Sequence, residues 1–149
     1  MYKFPDRNIW NGRIDKDNGN AGLRWHQMIE CSDLSAGGIP DLEEFQIGFA
    51  LIGFRCDEGV RRNKGRTGAV NGPAAIRTTC VNFAWHFGKD HVKLVDAGDV
   101  ICEGNKLENA QKELAEQIGQ IIDKGYYPLI IGGGHEVSFG GYKGVSTAE

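Results

Sequence analysis

Nowhere in this sequence do apolar residues run for the ~18 positions that a membrane-spanning helix needs. Positive charge is not in excess either. Lys and Arg total 17 against 20 Asp and Glu, a net charge of −3, so the chain offers no basic footprint to nucleic acid. Cysteine is sparse. Residues 31, 56, 80 and 102 contain no CxxC pair, which argues against a zinc ribbon. Their flanks, IECSDL, FRCDEG, TTCVNF and VICEGN, share no pattern, so the near-regular spacing is not a repeat. Reduced thiols in a reducing compartment are the expectation. The opening residues, MYKFPDRNIW, lack the apolar core of a secretory leader. These absences leave a cytoplasmic protein with no nucleic-acid or membrane partner.

What is present is enough to fold. Hydrophobic residues make up 40% of the 149 and charged ones 25%, which suits a core within a single domain. Residues 1–44 read as an irregular N-terminal arm, because NGRIDKDNGNAGLRWHQ holds no sustained period. Trp10, Leu23 and Trp25 are too large to leave in water, so the arm should pack on the rest. Residues 45–149 read as a βαβαβ unit. FQIGFALIGF is a buried strand. Pro73 opens a helix at its first position, where the missing N–H costs nothing. Ile76, Cys80, Phe83 and Phe87 would form its apolar stripe, with Gly88 as its stop. VKLVDAGDV is a second strand. Asn105 and Glu108 have capping-box spacing before a helix faced by Leu107, Leu114, Ile118, Ile121 and Ile122, ending near Lys124 and Gly125. YYPLII is a third strand, followed by a turn and a helix start. This alternation predicts an α/β fold, a parallel sheet between two helical layers.

In such sheets ligands bind beyond the carboxyl ends of the strands. The first strand runs into Arg55, Asp57, Glu58, Arg61, Arg62, Asn63, Lys64 and Arg66, the second into Asp96 and Asp99, and the third into GGGHE. The glycines of that motif permit positive φ or close backbone approach. Phosphate binding at the following helix is disfavoured, because neither GxGxxG nor GK[ST] is present and Glu136 sits beside the glycines. Two readings of His135 stay open on these grounds. It is a metal ligand held rigidly at a strand end, or a capped histidine in a tight turn.

IIGGGHEVSFGGYKG, residues 130–144, resembles the first metal-ligand motif of the ureohydrolase superfamily, the arginase and agmatinase fold. Its GGGHE form is most similar to the formimidoylglutamase branch. GFRCDEGVRRNKGRTGAVNGPAAIR is similar to that branch's first-strand loop and helix start, DAGDVICEGNKLENAQ to its second-strand segment, and WNGRIDKDNGNAGLRWHQ to its N-terminal arm. The resemblance implies an arginase-like, three-layer α/β/α fold, here partial. It implies a hydrolase using two Mn²⁺ ions bridged by water or hydroxide, which attacks the formimidoyl carbon of N-formimidoyl-L-glutamate and releases L-glutamate and formamide, a step of histidine degradation. The family's ligands are the histidine of the GGGHE-type motif, a histidine and two aspartates of a DAHxD-type motif, and two aspartates of a DxD-type motif. Only the first is here, so His135 alone carries over as a metal ligand, and the chain reads as an N-terminal half, inactive by itself.

The amidine substrate also carries two carboxylates. Asn63 and Arg66 of NKGRTG are therefore expected to bind substrate, arginine offering a bidentate fork. Arg61, Arg62 and Lys64 are expected to face solvent or a partner subunit, and Asp96 and Asp99 to be structural rather than to support the metal from behind. Two alternatives remain. One is another ureohydrolase acting on a guanidino compound, though the basic loop speaks against agmatine. The other is a non-catalytic α/β binding or assembly module. A half-covered sheet should also self-associate, or form a homo-oligomer, through its open face.

Overall fold

Among the described residues five strands build one sheet: β1 (Tyr2–Lys3), β2 (Glu30–Cys31), β3 (Ile47–Arg55), β4 (Val92–Ile101) and β5 (Tyr126–Gly132). The computed structural model describes every residue except Gly37, Lys89 and Glu149, the last of which closes the unit read from the sequence. β4, β3 and β5 are parallel, with β3 between the other two. β3 is covered on both faces. Ala50, Ile52 and Phe54 join one core cluster and Leu51 the other, which is why the strand reads as a continuous apolar run. β1 and β2 share the outer edge of β4, the first antiparallel and the second parallel. The N-terminal segment thus supplies two strands, each too short to leave a period in the sequence.

Helices cover the sheet on both sides, giving the three-layer α/β/α architecture. On one side lies α4 (Leu107–Asp123), whose Leu107, Ala110, Leu114, Ile118 and Ile121 recur at helical spacing and are buried against β3 and β4. Gly125, at φ 79°, closes it with a hydrogen bond from its N–H to the Ile122 carbonyl (2.8 Å). α5 (Val137–Thr147) packs on α4 through Gly140 and Gly144, where an added β-carbon would meet Leu114 and Ile118. On the other side lie α3 (Gly72–Cys80), Trp10 and Trp85.

Two local expectations are corrected. α3 stops at Cys80 and buries Pro73, Arg77 and Cys80, while Ile76, Phe83 and Phe87 are largely exposed. Beyond Cys80 the backbone pairs with the arm. Trp25 N–H donates to the Phe83 carbonyl (2.9 Å) and Trp85 N–H to that of Leu23 (2.8 Å). Phe83 and Phe87 stack edge-on against Trp25 and Trp85 instead of continuing a helical stripe. Nor does Asn105 cap α4. The cap position falls on Lys106, and Arg62 draws in both the Asn105 carbonyl and the Glu108 carboxylate.

Candidate functional site

The connections between the parallel strands reverse direction. The chain passes from β3 to β4 on one side, then returns across β3 to β5 on the other. With helices on opposite faces, the gap between the C-terminal ends of β3 and β5 is the switch point, where open α/β sheets bind their ligands. Of the three segments that sequence reading marked as chemically loaded, two lie there. Residues 56–68 follow β3, and residues 133–136 follow β5.

The second segment is pressed onto the first. Gly134 N–H donates to the Cys56 carbonyl (3.3 Å), and Gly59 N–H to the Glu136 carboxylate (3.2 Å). A β-carbon at Gly133 would fall on the Cys56 carbonyl oxygen, and one at Gly134 on the Glu136 carboxylate and Val60. None of the three glycines has positive φ. The motif is thus glycine-rich because two strand-end loops must touch, not because the backbone turns left-handed. Glu136 is spent on this contact and sits at the start of α5, with its carbonyl accepting from the buried Gln111 amide (2.9 Å). His135 alone of the motif is left exposed, and among the described residues its ring has no hydrogen-bond partner.

The basic segment is shaped from within. The α2 helix (Glu58–Arg62) begins just after β3, and the Asp57 carboxylate accepts from the N–H groups of Gly68 (2.8 Å) and Val70 (2.7 Å), folding residues 63–68 back over it. Gly65 N–H reaches the Val60 carbonyl (2.9 Å), and Lys64 takes φ 56°. Arg61 and Arg62 both bind the buried Glu58 carboxylate, and Arg62 reaches on to Glu108 of α4. Arg62 first and Arg61 second hold the Glu58 carboxyl below its usual range. These two arginines, expected to face solvent or a partner, are exposed and at the same time brace the loop. Asn63 ends α2, its N–H on the Gly59 carbonyl, with its side chain exposed. Arg66 is exposed and, among the described residues, has neither an ion pair nor a hydrogen bond. Sequence reading named Asp57 among the charges of this segment but gave it no role, although an aspartate just after a strand and ahead of a glycine-rich loop is a usual loop organiser.

Asp96 and Asp99 lie elsewhere. They are inside β4 rather than beyond it. A register shift between β3 and β4 leaves one extra residue in β4 near Gly98, at φ 80°, so two residues three apart face the same side. Both meet Arg77 from α3. Its guanidinium binds Asp96 through two nitrogens (2.8 Å each), Asp99 (2.7 Å) and the Gly98 carbonyl (2.8 Å), while Trp10 Nε1–H donates to Asp96 (2.8 Å). Burial alone would lower the Arg77 pKa, but the two carboxylates outweigh it and hold it above its usual value. Gly53 makes room, since a β-carbon there would strike Asp99. The pair is structural, and its main partner, Arg77, was not among the residues singled out from the sequence. Its spacing of four from Pro73 was the available signal.

Among the described residues no three His, Cys, Asp or Glu side chains come together to hold a metal ion. The 149 residues supply one imidazole at the switch point and do not by themselves fit a metal pair.

The class of protein seen here is a three-layer α/β/α fold on a mainly parallel sheet, with a histidine loop and a basic loop at its switch point, and the chain belongs to the arginase family, whose model matches residues 47–149. More particularly, it is similar to formimidoylglutamases. It is 43% identical to that of Aeromonas hydrophila over 148 residues, covering 98% of this chain and 44% of the relative, and 44% identical to that of a Geobacillus species over 99% and 44%. A Trypanosoma cruzi formiminoglutamase crystallised with Mn²⁺ superposes with TM-score 0.60 at 33% identity, over 73% of this chain and 38% of that one. The arginase of Bacillus subtilis, 24% identical with TM-score 0.50 over 66% and 34%, shares the fold. The chain spans 44% of the length of these curated relatives.

Proposed function

We propose that this chain is the N-terminal portion of a manganese-dependent hydrolase that splits N-formimidoyl-L-glutamate into L-glutamate and formamide. One observation carries the reading: similarity to formimidoylglutamases runs over 98% of the chain and includes His135, which stands exposed at the switch point. In this reading His135 is one metal ligand, carried on a loop held by the Gly134–Cys56 and Gly59–Glu136 hydrogen bonds. The remaining ligands come from residues outside these 149, and no step of the hydrolysis itself is assigned to this chain. Arg66 and Asn63 hold the substrate's carboxylates. Arg66 is the guanidinium of this loop with no internal partner, unlike Arg61 and Arg62. The same reading includes a cytoplasmic location as part of the proposal; no described helix is long and apolar enough to cross a membrane.

The isolated chain is expected to self-associate. Among the described residues the outer edge of β5 is unpaired, and on α5 Phe139, Tyr142 and Val145 are 60%, 74% and 55% exposed. A second copy would cover them, and light scattering that finds a monodisperse monomer would refute this.

The functional test is a chimera in which residues 1–149 replace the matching portion of the Aeromonas hydrophila relative. With Mn²⁺ it should release formamide from N-formimidoyl-L-glutamate and leave agmatine and guanidinobutyrate intact. Arg66→Ala should raise KM by about tenfold, the loss of one charge-assisted contact of about 1.5 kcal/mol. Preference for a guanidino compound would move the assignment to another branch of the family.

A further inference from the structure

Four free thiols are present, and two of them are neighbours that the proposed hydrolysis leaves unused. Cys56 and Cys102 stand one residue beyond Arg55 and Ile101, the last paired residues of β3 and β4. The pairing continues past them, because Cys102 N–H donates to the Arg55 carbonyl (3.0 Å). Residues opposite each other on adjacent strands point to the same side, with α-carbons about 4.8 Å apart. That lies inside the roughly 4.4–6.8 Å window of disulfides. Both sulfurs belong to the same side of the sheet, since Cys102 packs against the core cluster that contains Cys56. Cys31 and Cys80 belong to the cluster on the opposite face.

Access is also present. Both cysteines line a cavity of about 190 Å³ at the C-terminal edge of the sheet, together with Arg55, Asp57, Glu58 and Arg61. It admits a small oxidant. The position matters because the Cys56 carbonyl is the acceptor on which Gly134 rests, next to His135. We infer that Cys56 and Cys102 form a reversible dithiol–disulfide site, a redox modification that ties the ends of β3 and β4 together beneath the His135 loop. This inference stands apart from the metal reading and does not depend on it.

The two sulfurs have different parts. Burial, reinforced by the neighbouring Cys102, pushes the Cys56 thiol up to about 12, so it is slow to form a thiolate. Cys102 is half-buried and reacts first. With hydrogen peroxide as oxidant, the Cys102 sulfur attacks one peroxide oxygen. The O–O bond breaks, Cys102 becomes a sulfenic acid, and the other oxygen leaves as water with the thiol proton. The Cys56 sulfur then displaces the sulfenic oxygen. An S–S bond forms, the S–O bond breaks, and a second water carries off the Cys56 proton. Two thiols lose two electrons to one peroxide.

The test treats the purified protein with hydrogen peroxide, blocks remaining thiols under denaturing conditions and digests with trypsin. Cleavage should yield the peptide Cys56–Arg61 joined to Leu94–Lys106, two hydrogens lighter than their sum, and released by dithiothreitol. Closing the loop between the two cysteines should also raise the melting temperature by about 5 °C, reversibly on reduction. In Cys102→Ser, an exchange at a half-buried site, the linked peptide and the shift should both vanish. Recovery of both peptides as blocked thiols after peroxide would overturn the inference. So would irreversible oxidation of Cys102 with Cys56 untouched, or linkage of either to Cys31 or Cys80.

Discussion

Two charged clusters of this molecule invite comparison. Beneath the sheet, Arg77, Asp96, Asp99 and Trp10 form a network in which Arg77 is 2% and Asp96 1% exposed, and each polar group of the ion pair has a partner within about 3 Å. At the switch point, His135 and Arg66 stand in solvent with no partner among the described residues. In the sequence Asp96 and Asp99 looked like the residues around Arg66 and His135, polar side chains at strand ends. The difference teaches where to look for chemistry. A satisfied buried network has no valence left for a ligand, and losing one member strands the others in a low-dielectric interior. An exposed imidazole and guanidinium held on braced loops cost little to keep and are available to bind.

The largest effect expected from breaking this contrast is at Arg77. Arg77→Met leaves Asp96 buried without its counter-ion and should cost about 3–5 kcal/mol of stability, read as a fall in the urea midpoint. A cost under about 1 kcal/mol would show that water enters and replaces the guanidinium. The second effect inverts the pattern. His135→Ala should leave stability within about 0.5 kcal/mol of the parent, since the ring is exposed and has no hydrogen-bond partner among the described residues. In the chimera it should lower kcat/KM by at least ~100-fold. Equal losses in stability and activity would make His135 structural after all.

A smaller effect probes the brace between the loops. Gly133→Ala places a β-carbon on the Cys56 carbonyl and should destabilise by about 1–3 kcal/mol through a forced backbone shift. In the chimera this shift should also weaken Mn²⁺ activation, because His135 moves with the loop. Smallest at neutral pH is an alkaline effect. The Cys56 thiol is raised by burial from its ordinary 9.0 to about 12, and the Tyr2 and Tyr126 hydroxyls, also buried, from 10.0 to about 12. A group that holds its proton more tightly when folded contributes stability below its unfolded pKa and loses it as pH rises to the folded one. The urea midpoint should therefore fall between about pH 9 and 12, and Cys56→Ala should flatten the first part of that fall. A flat profile in the parent would show these groups exposed to solvent.

Much of the frame was legible in the sequence because its signals are local. β3 and β5 hold continuous apolar runs, β4 is apolar apart from Lys93, Asp96 and Asp99, and α4 repeats its apolar residues every three or four positions. The order of these elements is enough to bring the loops after β3 and β5 to one sheet edge, and GGGHE marked the loop that carries His135. The end of α3 was not legible. Its apolar spacing runs on past Cys80, and only the backbone pairing with residues 23–25 cuts it short.

The sequence by itself determined the class of fold, the polar edge and the identity of the exposed histidine, each through residues close together in the chain. Tertiary structure decided which charges are spent and which are free. The partner of Arg77 depends on a one-residue shift in the β3–β4 register that turns Asp96 and Asp99 to the same face. The role of the glycines depends on how closely the loop after β5 is pressed against the Cys56 carbonyl, a contact between segments some 77 residues apart, like that of Gly59 with Glu136. Register and contact across such separations are set by packing the whole sheet between its helices, and no local pattern of residues encodes them.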